Sequence, residues 1–190
     1  MTSVCTTLDG KHFITGSDDK TARMWSLEDG TLVREFKGHE GAVTSVCTTL
    51  DGKHLITGSE DKTARLWSLE DGTLVREFKG HEGLVKSVCT TLDGKHLITG
   101  SRDNTARLWS LEDGTLVREF KGHEGGVSSV CTTLDGKHLV TGSDDKTARL
   151  WSLEDGTMVR EFKGHEGGVL SVCTTLDGKH LMTGSGDKTA

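Results

Sequence analysis

An all-β protein made of repeated four-stranded antiparallel sheets is predicted by three observations. Trp25, Trp67, Trp109 and Trp151 fall 42 residues apart, and Cys5, Cys47, Cys89, Cys131 and Cys173 keep the same step. Each 42-residue unit holds four short segments of strand character, bounded by Asp-Gly and similar turn pairs. The connections are too short for a helical crossover, which excludes parallel pairing. Residues 23–190 are four such units and residues 1–22 are the tail half of another, so the 190-residue chain carries about four and a half copies.

The elements follow in order within a unit. Val43–Leu50 (VTSVCTTL) is rich in β-branched residues, which pack well on a pleated surface. Asp51-Gly52 turns the chain, because glycine accepts positive φ. His54–Ser59 is the second strand, Glu60-Asp61-Lys62 the next turn and Thr63–Ser68 the third strand. Asp71-Gly72 leads into the fourth, Thr73–Lys79, whose Arg76, Glu77 and Lys79 suit a water-facing edge. Gly80-His81-Glu82-Gly83 then carries the chain into the next copy.

A sheet of this kind exposes two apolar faces, and ranking the copies radially buries both. The chain is read as one segment, 1–190, with sheets near 2–38, 43–80, 85–122 and 127–164 and a partial sheet at 169–190. Met1 stands in register with Val43, Val85, Val127 and Val169, an interior position of the unit. The expectation is therefore a segment of a longer array, or a chain that completes itself by self-association.

The unit resembles the WD40 repeat. It carries a Gly-His pair (Gly80-His81), an Asp-Gly turn, and Ser101-Arg102-Asp103 followed six residues on by Trp109. It departs in having Ser after the Trp (Trp67-Ser68), where Asp is usual. It also has Thr48-Thr49-Leu50 in place of an aromatic-Ser-Pro. The resemblance implies a β-propeller of about 4.5 blades, open or closed by association, that serves as a scaffold for protein or peptide partners. It also implies a buried hydrogen-bonded set in each blade. These sets are His39, Thr57, Asp61 and Trp67; His81, Thr99, Asp103 and Trp109; and His123, Thr141, Asp145 and Trp151. Ser59 competes with Thr57 for the hydroxyl role. The chemistry is coherent, since a buried indole N–H needs an acceptor and a buried carboxylate needs donors.

Other chemistries fit poorly. A Ser-His-Asp hydrolase is expected to have one site, whereas this constellation recurs in every copy. Zinc sites use closely spaced Cys and His, but each cysteine here stands alone in its strand, so no metal and no cofactor is expected. Cys47 reads as a small buried residue, and the odd count of five cysteines suits a reducing compartment, the cytoplasm. His54 and its counterparts His12, His96, His138 and His180 read as exposed. The formal charge of −6, the missing basic stripe and the lack of any ~18-residue apolar run give no reason to expect nucleic acid or membrane as partner.

Of the 42 positions in the four full units, seven vary. Three are exchanges among apolar residues, as in Met24/Leu66, Leu32/Met158 and Ile56/Val140/Met182. The other four change charge, size and polarity. They are Ala42, Leu84, Gly126 and Gly168; Thr44, Lys86, Ser128 and Leu170; Glu60, Arg102, Asp144 and Gly186; and Lys62 against Asn104. In an up-and-down sheet these positions share one end, with residues 42 and 44 on one side of the strand and Val43 on the other. The turns at the other end do not vary. The candidate contact surface is therefore Ala42, Thr44, Glu60, Leu84, Lys86, Arg102, Gly126, Ser128 and Asp144, with Leu84, Lys86 and Arg102 as anchors. The alternative is a purely structural, self-assembling repeat with no external ligand.

Overall fold

A computed structural model describes all of residues 1–190 and contains strands, turns and loops with no helix. The first sheet is β1 (Ser3–Thr6), β2 (His12–Gly16), β3 (Ala22–Ser26) and β4 (Leu32–Phe36). The second is β5 (Val43–Thr48), β6 (His54–Ser59), β7 (Ala64–Ser68) and β8 (Leu74–Phe78). The third is β9 (Val85–Thr90), β10 (His96–Ser101), β11 (Ala106–Ser110) and β12 (Leu116–Phe120). The fourth is β13 (Val127–Thr132), β14 (His138–Ser143), β15 (Ala148–Ser152) and β16 (Met158–Phe162). β17 (Val169–Thr174) and β18 (Leu181–Ser185) form a two-stranded remainder. Strands in every sheet follow chain order and pair antiparallel, as expected of meanders joined by tight turns. Gly52 and Gly72 take φ of 66° and 79°, the left-handed backbone that their turns require.

First strands of successive sheets lie side by side, and each also touches the second strand of the sheet before it. They form the inner edge of the stack, while Leu74 and Val75 of the fourth strand are exposed at the outer edge. The sheets do not close into a ring.

The apolar core lies between sheets rather than within one. Ile14, Ala22, Met24 and Phe36 of the first sheet pack on Val43, Val46, Leu55 and Trp67 of the second. Two further junctions repeat this eight-residue cluster. Each sheet thus turns one apolar face backward and one forward, and neither face is buried without a neighbour.

Simple alternation would place Val43 and Val46 on opposite faces, yet both enter the same core. The reason is a β-bulge. Val43 pairs with Ser59 and Ser45 with Gly58, so Thr44 is the extra residue. Its single hydroxyl hydrogen is shared between the Gly58 carbonyl and Val85 O in the next sheet. Val43 thus packs on the preceding sheet and Thr44 points to the next, on opposite sides as expected, and the bulge shifts the alternation only beyond them. Cys47 is half-buried rather than buried, because the inner strand faces the axis of the stack, and it lies against the next core. Burial pushes the thiol of its counterpart Cys131 up to about 11.

Candidate functional site

The loop joining one sheet to the next delivers a histidine onto the following sheet. His39 Nδ1 lies 2.7 Å from Asp61 Oδ2, and its Nε2 lies 2.7 Å from Thr57 Oγ1. The indole N–H of Trp67 donates to the same Thr57 oxygen at 2.9 Å. Donor counting fixes the directions. The ionised carboxylate can only accept, so Nδ1–H donates to it; Nε2 of a neutral ring then accepts from the Thr57 hydroxyl, whose oxygen accepts the indole hydrogen. The sets His81, Thr99, Asp103, Trp109 and His123, Thr141, Asp145, Trp151 repeat this geometry within about 0.1 Å.

The choice between Thr57 and Ser59 resolves into two roles. Thr57 sits in the chain of bonds, while the Ser59 hydroxyl donates to Gly41 O at 3.1 Å and accepts Asp61 N–H at 3.1 Å, holding the loop. Sequence reasoning omitted a further set. His165, Asp187 and Thr183 make the same bonds at 2.9 and 2.8 Å in the last copy, which has no tryptophan. The 42-residue period was the signal that could have found it.

Burial alone would raise the Asp61 carboxyl, but hydrogen bonds from His39 and Thr63 hold it far below the usual carboxylate range. Asp145 behaves alike: burial pushes it up, while Thr147 and His123 bring it down to about 2. Burial lowers the pKa of His123, against the raising influence of Asp145, so a neutral imidazole faces an ionised carboxylate. The trio imitates a nucleophilic relay but is sealed. Thr57 is 0% exposed and its oxygen already receives the indole hydrogen, so no substrate carbonyl can reach it. Its role is to pin loop to sheet.

The variable positions lie around one end of the stack and contact each other across sheets. Glu60 N bonds Ala42 O, Arg102 N bonds Leu84 O and Asp144 N bonds Gly126 O, each at 2.9 Å. These bonds place the two variable positions of a sheet side by side. Glu60, Arg102 and Asp144 are exposed; Thr44, Leu84, Lys86 and Ser128 are half-buried. Ala42 and Gly126 are buried and present no side chain outward, which corrects their assignment as contacts. A Cβ added to Gly126 would lie 3.2 Å from Arg102 Cα and 3.1 Å from Asp144 Oδ2, so the residue fills the seam between two sheets.

Lys86 is also tied down. Its Nζ lies 3.1 Å from Asp144 Oδ2 and 3.1 Å from Ser128 Oγ, and Ser128 Oγ donates to Asp144 Oδ1 at 2.8 Å. Three variable positions from two sheets therefore form one ionic cluster, a coupling invisible in single-copy comparison. At the opposite end, His54 is half-buried rather than exposed. It borders an inter-sheet cleft of about 710 Å³ with Leu50, Asp51, Leu92 and His96, because the next Asp-Gly turn leans over it. His12, His96 and His138 are half-buried in the same way, while His180 is exposed.

Repeated four-stranded sheets stacked on their apolar faces, three of the four pinned by a His–Thr–Trp–Asp set, define a β-propeller-type repeat protein. The chain belongs to the WD40 family: the WD domain, G-beta repeat, matches residues 1–26, 30–68, 72–110, 114–152 and 156–190. It is also similar to WD repeat-containing protein 86 of Homo sapiens, 50% identical over 36 residues, or 19% of this chain and 10% of that protein. The chain thus spans a small part of the length of that relative. WD40 repeats in general mediate protein–protein interaction and are in general not catalytic.

Proposed function

We propose that this chain is a non-catalytic scaffold that recognises a protein or peptide through the rim bearing Thr44, Glu60, Leu84, Lys86, Arg102, Ser128 and Asp144. One observation carries the reading: the positions that change chemical character between copies share that rim, on a framework whose other positions repeat or exchange one apolar residue for another. Arg102 and Glu60 are the free charged groups, and Leu84 adds a half-buried apolar surface. Lys86 acts with Ser128 and Asp144 as one preformed polar cluster rather than as a lone anchor. Five unpaired cysteines support residence in a reducing compartment such as the cytoplasm.

The test is a peptide-display selection against the whole chain. Selected peptides are expected to lose at least about tenfold in affinity on the Arg102→Asp, Glu60→Arg double variant. They should bind Lys53→Glu, Lys95→Glu, altered at the opposite end, as well as wild type. Peptides that follow the second variant instead would move the recognition surface to the other face.

A further inference from the structure

The variable positions form one row across the sheets. Within a sheet, Arg102 N bonds Leu84 O and Asp144 N bonds Gly126 O. Across a seam they touch directly. A Cβ added to Gly126 would lie 3.2 Å from Arg102 Cα in the sheet before it, and one added to Gly168 would lie 3.2 Å from Asp144 Cα. The 42-residue period sets Leu84 against Glu60 in the same way. Glu60, Leu84 and Arg102 therefore stand consecutively, followed by Gly126 and then Asp144.

The charges along this row do not balance where they stand. Three ionised groups meet at the seam of the third and fourth sheets. Asp144 Oδ2 lies 3.1 Å from an added Gly126 Cβ, and Arg102 Cγ lies 3.4 Å from it, so the two side chains flank one glycine. Lys86 Nζ reaches the same Oδ2 at 3.1 Å. Burial alone would raise the Asp144 carboxyl, but Ser128, Lys86 and Arg102 together hold it below the usual range. Two cations thus share one carboxylate, which leaves a positive charge over. Asp103 and Asp145 do not neutralise it, since His81 and His123 already engage them. On the far side of Leu84, the Glu60 carboxylate is exposed, and its neighbour Asp61 is held by His39.

We propose that this row takes an extended peptide bearing a basic side chain, an apolar side chain and a carboxylate in succession. The basic group pairs with Glu60 and the apolar one lies on Leu84. The carboxylate sits over the Gly126 seam between Arg102 and Lys86, as a second anion for two cations. The inference rests on the rim reading and names the partner's chemistry.

Charge complementarity selects this occupant. A uniformly acidic segment would meet Glu60 and a uniformly basic one would meet Arg102, and like charges brought together oppose binding. Gly126 raises no side chain between Arg102 and Asp144, so the carboxylate has a clear approach. Leu84 is half-buried, and an apolar side chain laid on it removes the remaining area from water. The spacing agrees as well. Sheets packed face to face stand about 10 Å apart, while residues i, i+2 and i+4 of an extended strand share one side and span about 13 Å. Flexible Lys and Glu side chains on the peptide absorb the difference.

The experiment is a peptide-display selection against the intact chain with four fixed frames, x being randomised: Lys-x-Leu-x-Glu, Glu-x-Leu-x-Lys, Lys-x-Leu-x-Lys and Glu-x-Leu-x-Glu. Wild type should enrich one of the two mixed-charge orders at least about tenfold over both like-charge frames. Glu60→Lys should move the preference to Glu-x-Leu-x-Glu, and Arg102→Glu to Lys-x-Leu-x-Lys. Both positions are exposed, and unchanged tryptophan fluorescence would show the sheets intact. Leu84→Ser should weaken the selected peptide at least about fivefold without changing the preferred frame. No enrichment, equal enrichment of all four frames, or a preference that stays put through both charge exchanges overturns the proposal. If equally enriched peptides still weaken on the Arg102→Asp, Glu60→Arg double variant, the rim reading stands and only the charge order falls. If they weaken instead on Lys53→Glu, Lys95→Glu, both readings fall.

Discussion

Thr57 illustrates how much one buried hydroxyl can decide. It accepts from Trp67 and donates to His39, so Thr57→Val keeps the shape but leaves an indole N–H and an imidazole nitrogen buried without partners. Each such loss costs about 1–3 kcal/mol, and we expect a total of about 2–4 kcal/mol in urea unfolding. The set also gives stability a pH dependence. Asp145 has a folded pKa of about 2, below its unfolded value, so its contribution is full above about pH 4 and fades as pH falls toward 2. His123 is depressed too, and protons then bind the unfolded chain more readily once pH drops below its unfolded value of about 6.5. Both groups act in the same direction. The urea midpoint should fall between pH 7 and pH 5 through the histidine and fall further below pH 4 through the carboxylate. A midpoint that rises on acidification would contradict the neutral-imidazole assignment.

At the scale of elements, the unit of stability is the seam between two sheets. Gly58→Ala forces a methyl group against Val85 and Val88, an overpacking expected to cost about 1–3 kcal/mol. Gly184→Ala makes the same change where no valine is seated and should fall within about 0.5 kcal/mol of wild type. Comparing the two by denaturant unfolding separates joint packing from any intrinsic strand preference against glycine. The outer strands add a smaller tie: Arg76 Nη2 donates to Glu112 O of the next sheet at 2.7 Å, and Arg118 to Glu154 O at 2.8 Å. The bulge at Thr44 belongs to this scale too, since it lets two valines on one strand reach the same seam.

For the whole molecule, the rim is where sheets that are otherwise copies become different. The Lys86–Asp144 pair crosses from the third sheet to the fourth, so Lys86→Asp unfavourably apposes two carboxylates and Asp144→Lys two ammonium groups. The double exchange should restore the pair, with a coupling of about 0.5–1 kcal/mol in a double-mutant cycle, given that both partners are partly solvated. Zero coupling would show that the cluster is a surface accident and the sheets vary independently. A rim of paired charges also constrains recognition. A partner must either accept the Lys86–Ser128–Asp144 cluster as built or offer groups that replace those bonds.

The sequence by itself determined the period, the four strands of each unit, their antiparallel order and the seven variable positions, because local turn chemistry and repetition are written along the chain. His39, Thr57, Asp61 and Trp67 could be grouped only through the family resemblance, since 28 positions of chain separate the first from the last. Only the tertiary structure decided what depends on which neighbour a sheet faces. It showed the burial of Ala42 and Gly126 in a seam, the capture of Lys86 by Asp144, and the half-buried state of His54 and Cys47. It also showed that the bulge brings Val43 and Val46 to one face. The physical reason is common to all of these. A repeat specifies its own backbone through local propensity, but burial and charge pairing arise between repeats, where distances across space bear no relation to distances along the chain.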